Sequence, residues 1–153
     1  MHAVVKSAGF LTRHLGQDLA AASFLGDRLG TVVVPPYEII GIFRHHNDGE
    51  LTLAGGFIIT NKSTCNVDLA LYAPGCMTRR VMADVARYIF VGLKCERITG
   101  RCRRSNQYIR RLLPRLGWEL EGVQRRFFGP TRHDDAMIYG LLASELPEFL
   151  KGD

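Results

Sequence analysis

CNVDLALYAPGCMTRRVMADVARYIFVGLKCERITGRC, residues Cys65 to Cys102, decides the fold. Cys65–Tyr72 is strand-like and is ended by Ala73-Pro74-Gly75, a turn sequence. Met77, Val81, Val85 and Tyr88/Ile89 then recur at helical spacing. Arg80, Asp84 and Arg87 fall on a different face. Glu96–Cys102 returns to strand, with Ile98, Gly100 and Cys102 on one side. A strand–helix–strand unit requires a right-handed crossover and a locally parallel pairing.

Upstream, Tyr37–His45 (YEIIGIFRH) and Leu51–Thr60 (LTLAGGFIIT) are β-rich runs joined by His46-Asn47-Asp48-Gly49, where Asp-Gly is a strong hairpin signal. Gly55-Gly56 inside the second run predicts a bulge or a close backbone approach. With Cys65–Tyr72 these runs make an antiparallel meander. Nearer the start, Ala3–Lys6 is a strand candidate. Leu15, Leu19, Ala22, Leu25/Gly26 and Leu29 have helical spacing up to a stop at Gly30, and Thr31–Val34 is strand-like before Pro35-Pro36. Downstream, Ser105 or Asn106 can cap a helix with the stripe Ile109, Leu112, Leu113 and Leu116. Pro114 predicts a distorted last turn there, before Gly117. Strands over Trp118–Phe128 and Asp135–Ala143 flank a Gly129-Pro130 turn, and Ser144–Leu150 is a short tail. An antiparallel meander feeding a crossover unit is a mixed α+β sheet, and 153 residues without repeat or linker suit one domain over 1–153.

Composition narrows the class. Apolar residues are 46% and charged residues 23%, as in an ordinary folded domain. No apolar run is long enough for a membrane span, and the first residues lack the apolar stretch of a secretion signal, so a cytoplasmic protein with no membrane association is expected. The net charge is +5, and it is unevenly distributed: from Arg97 to Arg132 ten arginines face two acids, +8 locally. Arginine binds phosphate and carboxylate through paired N–H groups, so this stretch suits an acidic protein or a nucleic acid, or simply a solvated surface. Cys65, Cys76, Cys95 and Cys102 form no C-x-x-C pair and the five histidines no H-x-x-x-H, so no metal is expected. The cysteines fit reduced core thiols. His45-His46 lies on a strand, which sends its rings to opposite faces.

The second half of the chain resembles a known family. Asn106-Gln107-Tyr108, then Leu112-Leu113-Pro114-Arg115-Leu116-Gly117-Trp118 and Glu121-Gly122, are similar to a signature of the GNAT N-acetyltransferases. The likeness is nearest the branch that acetylates ribosomal-protein N-termini. Arg125-Arg126, Gly129 and the run Asp135-Ala136-Met137-Ile138-Tyr139-Gly140-Leu141-Leu142 continue it. The specific match covers roughly residues 65–143, while the first 60 agree in element order only. The resemblance implies a GNAT-like, mostly antiparallel central sheet with flanking helices. It also implies an enzyme that transfers an acetyl group from acetyl-CoA to an amine of a protein or small molecule.

In that family the turn after the fourth strand holds the pyrophosphate of acetyl-CoA on its backbone amides. Small residues let the main chain approach, and a helix N-terminus offers free donors and partial positive charge. Gly75, Cys76, Met77, Thr78, Arg79 and Arg80 occupy that turn, and Asn106 matches an asparagine that bonds the cofactor arm. Two departures stand out: Tyr72 replaces an Arg or Gln, and Met77 replaces a small residue. The family's acid positions are also changed, to Leu113 and Ile109. Asp68 is then the candidate base, directly or through water, and Tyr72, Tyr108 or Tyr139 the candidate proton donor. The same departures suit an alternative: a catalytically degenerate, phage-type member acting as a binding or assembly module, in host cytoplasm or a particle.

Overall fold

The computed structural model describes residues 9–151. Seven strands form one sheet in the order β1-β2-β3-β4-β5-β7-β6. They are β1 (Phe10–Gly16), β2 (Glu38–His45), β3 (Leu51–Thr60), β4 (Asn66–Tyr72), β5 (Arg97–Arg103), β6 (Glu119–Gln124) and β7 (Ala136–Leu142). Among the described residues, only β4 and β5 pair in parallel; every other neighbour pair is antiparallel. The helices are α1 (Leu19–Leu29), α2 (Arg79–Arg87) and α3 (Gln107–Arg115). This is the mixed, mostly antiparallel α+β sheet expected. Among the described residues, no helix is long and apolar enough to cross a membrane.

Each helix begins at a residue that satisfies a free amide. Asp18, Thr78 and Asn106 accept from the amides of Ala21, Val81 and Ile109. Such caps are worth about 1 kcal/mol each. Pro114 distorts the end of α3 as expected: the amides of Leu116 and Gly117 bond three residues back, to Leu113 and Pro114. Beyond α2 the chain widens through Tyr88–Gly92, and the Leu93 amide reaches back five residues to Tyr88.

The two sheet faces differ. One packs α2 and α3 around Ile42, Phe57, Val67, Ile98, Met82 and Leu113, all buried. The other packs α1, through Ala21, Ala22 and Leu25, on Ile39 and Ile58. Helix α1 packs on β2, β3 and β4, and beyond it the second face carries polar side chains on β5 flanking the apolar row Ala136, Ile138, Gly140 and Leu142 of β7. Along β5 the residues alternate: Ile98, Gly100 and Cys102 are buried, while Arg97, Thr99, Arg101 and Arg103 are partly exposed.

Three expectations change. Leu15 belongs to β1, so the helix starts at Leu19 and not before. Thr31–Val34 forms no strand: the Thr31 amide bonds back to the Gly26 carbonyl at 3.0 Å, so the segment folds onto the end of α1 and leaves Val32 and Val34 exposed. Strand β6 stops at Gln124 rather than Phe128, since the buried Asp135 carboxylate captures the Arg126 amide and turns the chain. The short tail docks on the domain: Leu150 is buried, and Arg79 lies over the Phe149 ring with its guanidinium carbon 4.7 Å from the centroid. The Ala3–Lys6 strand candidate lies outside the described residues.

Candidate functional site

Strands β4 and β5 pair from Asn66/Arg97 only as far as Leu69/Gly100. Beyond that point β4 stays with β3 to Tyr72, and β5 stays with β7 to Arg103. A wedge therefore opens in the sheet. The β5-facing main-chain groups of residues 70–72 and the β4-facing groups of residues 101–103 have no partner strand. Buried edges of this kind need a ligand or water to satisfy them.

The wedge is the deep end of a cleft of about 600 Å³. Its floor includes Asp68, Tyr72 and Arg101. One wall is the end of α1 and residues 31–34, the other Phe127 and Phe128, and the start of α3 closes it with Asn106 and Tyr108. A close approach shapes the floor. A Cβ on Gly55 would collide with the Tyr72 carbonyl, so β3 and β4 can draw together there only because that position is glycine. The bulge falls beside it, at the register shift opposite Ile42/Phe43.

Polar side chains along the floor hold one another. Asp68 accepts from Asn61 Nδ2 at 2.9 Å and Asn66 Nδ2 at 3.2 Å, and Arg101 Nη1 stands 3.4 Å away. Arg101 also donates to Gln124 Oε1 at 2.9 Å. Arg103 pairs with Asp134 at 2.8 Å. Their guanidinium carbons lie 5.6 and 4.9 Å from the ring centroids of Phe127 and Phe128. Cys102 lines the cleft as a neutral thiol: burial pushes it up to about 11, although Arg110 pulls the other way. A neutral thiol is a weak nucleophile.

The residues singled out from the sequence fall in three places. Asp68, Tyr72 and Asn106 meet in the cleft. Gly75, Thr78, Arg79 and Arg80 form the exposed turn into α2, just past the Ala73-Pro74 end of the cleft. Gly75 takes a left-handed φ of +64° with nothing within 4 Å of a built Cβ, so this turn is open to solvent. Among the described residues, the amides of Arg79 and Arg80 have no protein acceptor; those of Val81 and Met82 are taken by Thr78. Cys76 and Met77 point inward. Cys76 is fully buried, its thiol raised by that burial and eased down by Arg44, and Met77 packs on the core beside it. Only their main chain faces the turn.

Tyr139 does not reach the cleft. It is buried on the α2/α3 face, opposite Gly100 and Leu120. Strand alternation could have excluded it, since neighbours in one row across a sheet share a face and Gly100 belongs to the core row. Leu113 and Ile109, at the family's acid positions, are buried core residues. Sequence reasoning passed over Phe127, Phe128 and Arg28, which line the cleft but come from loop and helix ends far apart in the chain. Of the arginines between 97 and 132, four are ion-paired: Arg97 with Glu121, Arg101 with Asp68, Arg103 with Asp134 and Arg104 with Asp135.

Neither a protein-family model nor a curated protein matches the sequence. Solved structures do. The spermidine/spermine N-acetyltransferase of Vibrio cholerae with manganese ions is similar at a TM-score of 0.66 and 14% identity, over 89% of this chain and 94% of that one. A structure of spermidine N-acetyltransferase from the same organism, in complex with CoA and spermine, is similar at a TM-score of 0.66 and 14% identity, over 89% and 96%. At such identity the likeness is one of fold, and that fold is GNAT-like.

Proposed function

We propose that the protein is an N-acyltransferase that moves an acetyl group from acetyl-CoA to an amine. The observation that carries this is the parting of β4 and β5 after Leu69/Gly100, next to a helix start with unused amides. Free strand edges can bond an extended, amide-bearing arm as they would an added strand. The amides of Arg79 and Arg80, with the dipole of α2 behind them, suit a pyrophosphate. Asn106 stands at the cleft mouth, where it already caps α3 through the Ile109 amide at 3.2 Å.

When bound, acetyl-CoA supplies a thioester carbon; the amine nitrogen bonds to it, the carbon–sulfur bond breaks with its electron pair on sulfur, and the proton lost by nitrogen ends on that sulfur. Holding the two reactants together contributes much of such a rate. Asp68, fixed in direction by three donors, is the group to receive the amine's proton through water. Tyr72 and Tyr108 both line the cleft and can return one to sulfur. Titration calorimetry with acetyl-CoA tests the reading. Binding is expected, and Gly75→Asp should abolish it while the circular dichroism spectrum is unchanged, because Asp tolerates left-handed backbone. No binding at millimolar ligand overturns it.

One feature favours a second reading, an anion-docking module. Arg104, Arg125, Arg126 and Arg132 surround a depression next to Asp135, and the last three are exposed. Binding of a short DNA duplex that falls steeply between about 50 and 200 mM salt, and ignores acetyl-CoA, would support it.

A further inference from the structure

We infer that the acyl acceptor carries its own anionic group, a carboxylate or a phosphate, beside the amine, and is not a polyamine. This rests on the N-acyltransferase reading above and names the acceptor class of that same cleft.

Three guanidiniums line the cleft, those of Arg28, Arg101 and Arg103, against one carboxylate, Asp68. That carboxylate is already engaged by Arg101, Asn61 and Asn66. A chain of ammonium groups entering here would meet like charge and no free acid. An anion would meet the reverse. Arg101 and Arg103 are two residues apart on one side of β5, about 7 Å along the strand. Each uses one terminal nitrogen in its ion pair, which leaves the other free for a ligand. The second terminal nitrogen of Arg103 reaches across the mouth of the cleft to the end of α1, 3.3 Å from where a Cβ on Gly30 would stand. Arg28, two residues before that glycine, has no carboxylate partner among the described residues; its guanidinium lies over the Phe24 ring, 3.7 Å from the centroid, and Nη1 donates to the Phe24 carbonyl at 3.4 Å, so an anion would meet its other nitrogens. The anion's place is therefore between Arg28 and Arg103, at the rim, with the amine directed inward to the wedge between β4 and β5. Guanidinium pairs recognise carboxylate and phosphate equally well in this way. Phe127 and Phe128, braced in a T-shaped pair at 4.9 Å and held by the two arginines, supply an apolar wall for the acceptor's carbon skeleton.

Calorimetry on the protein alone tests this with four probes and two controls. L-Phenylalanine is compared with phenylalaninamide, O-phosphoethanolamine with ethanolamine, and both anionic amines with spermidine. At least one anionic amine is expected to bind about ten-fold or more tightly than its twin without the anionic group and than spermidine; which one does so separates carboxylate from phosphate. Arg28→Gln, at an exposed site, should erase that preference, and Arg103→Gln should repeat the loss. Spermidine binding as tightly as either anionic amine, no preference for either over its twin, or a preference that survives both substitutions overturns the inference. Acetyl-CoA titrated in parallel keeps the two claims apart. Its failure to bind defeats the enzyme reading, whereas acetyl-CoA binding together with a spermidine preference defeats only the acceptor class.

Discussion

The Arg101 guanidinium stands 3.4 Å from the Asp68 carboxylate, and this pair crosses from β5 to β4 where the two strands stop pairing. Thr99 is the residue level with Asp68, and Gly100, level with Leu69, is the last partner; Arg101 is the first residue beyond. The pair thus bridges the start of the wedge on the face open to an acceptor. Both side chains keep some solvent, 29% for Arg101 and 19% for Asp68, so its contribution to stability is that of a screened pair, about 0.2–1 kcal/mol. Asp68→Asn should therefore leave the melting temperature within a few degrees of the parent. Acetyl transfer should fall about 100-fold, since a general base contributes 10²–10⁴-fold, with the acetyl-CoA affinity unchanged. Steady-state rates beside calorimetry check this split. Equal activity in the two proteins removes Asp68 from the chemistry.

Gly55→Ala probes the approach of β3 to β4. The new methyl group would run into the Tyr72 carbonyl and press on the Cys76 sulfur, 3.2 Å away. The backbone must shift, at a cost of about 1–3 kcal/mol. Thermal unfolding should show that loss. Because the shift moves Tyr72 on the cleft floor, acetyl-CoA binding should weaken in the same variant. A parent-like melting temperature would contradict the close contact.

Thr78→Ala separates the helix cap from the ligand turn. The hydroxyl accepts the Val81 amide at 3.1 Å. Its removal should cost about 1 kcal/mol in chemical denaturation. The amides of Arg79 and Arg80 are not tied to that hydroxyl, so acetyl-CoA should bind within a few-fold of the parent. Loss of binding with no loss of stability would reverse the assignment and make the hydroxyl itself a ligand.

Asp135 predicts a pH dependence. The Arg126 amide, at 2.8 Å, and then the Arg104 guanidinium, at 3.1 Å, hold its carboxyl below the ordinary value of 3.8. A depressed folded-state value means the unfolded chain takes up the proton first as pH falls. Its stabilisation is therefore complete above 3.8 and disappears as pH drops through the lower folded value. Asp135→Asn should lower the melting temperature at about pH 7, and the difference from the parent should close towards about pH 2. A gap that stays constant across that range would show that packing, not charge, is what the substitution removes.

Much of the architecture was legible because it is written in local periodicity. The hairpin around Asp48-Gly49, the alternation along Arg97–Arg103, and the cap at Asn106 each depend on neighbours within a few residues. The departures occurred where a distant group intervened. Thr31–Val34 has strand chemistry but lies against the end of α1 as one wall of the cleft. Strand β6 ends early because Asp135, eleven positions past Gln124, captures a backbone amide.

The site divides in the same way. The capping Asn106 came from residue types alone, and the turn after β4 with Gly75 and Thr78 and the carboxylate of Asp68 from the family resemblance, since turn, cap and strand chemistry belong to a short stretch of chain. Tertiary structure alone decided that the sheet opens after Leu69/Gly100, that Tyr139 lies on the far face, and that Arg28, Arg103 and Phe128 meet across one cleft. Pairing partners and burial arise from contacts between segments far apart along the chain, and no local pattern carries that information.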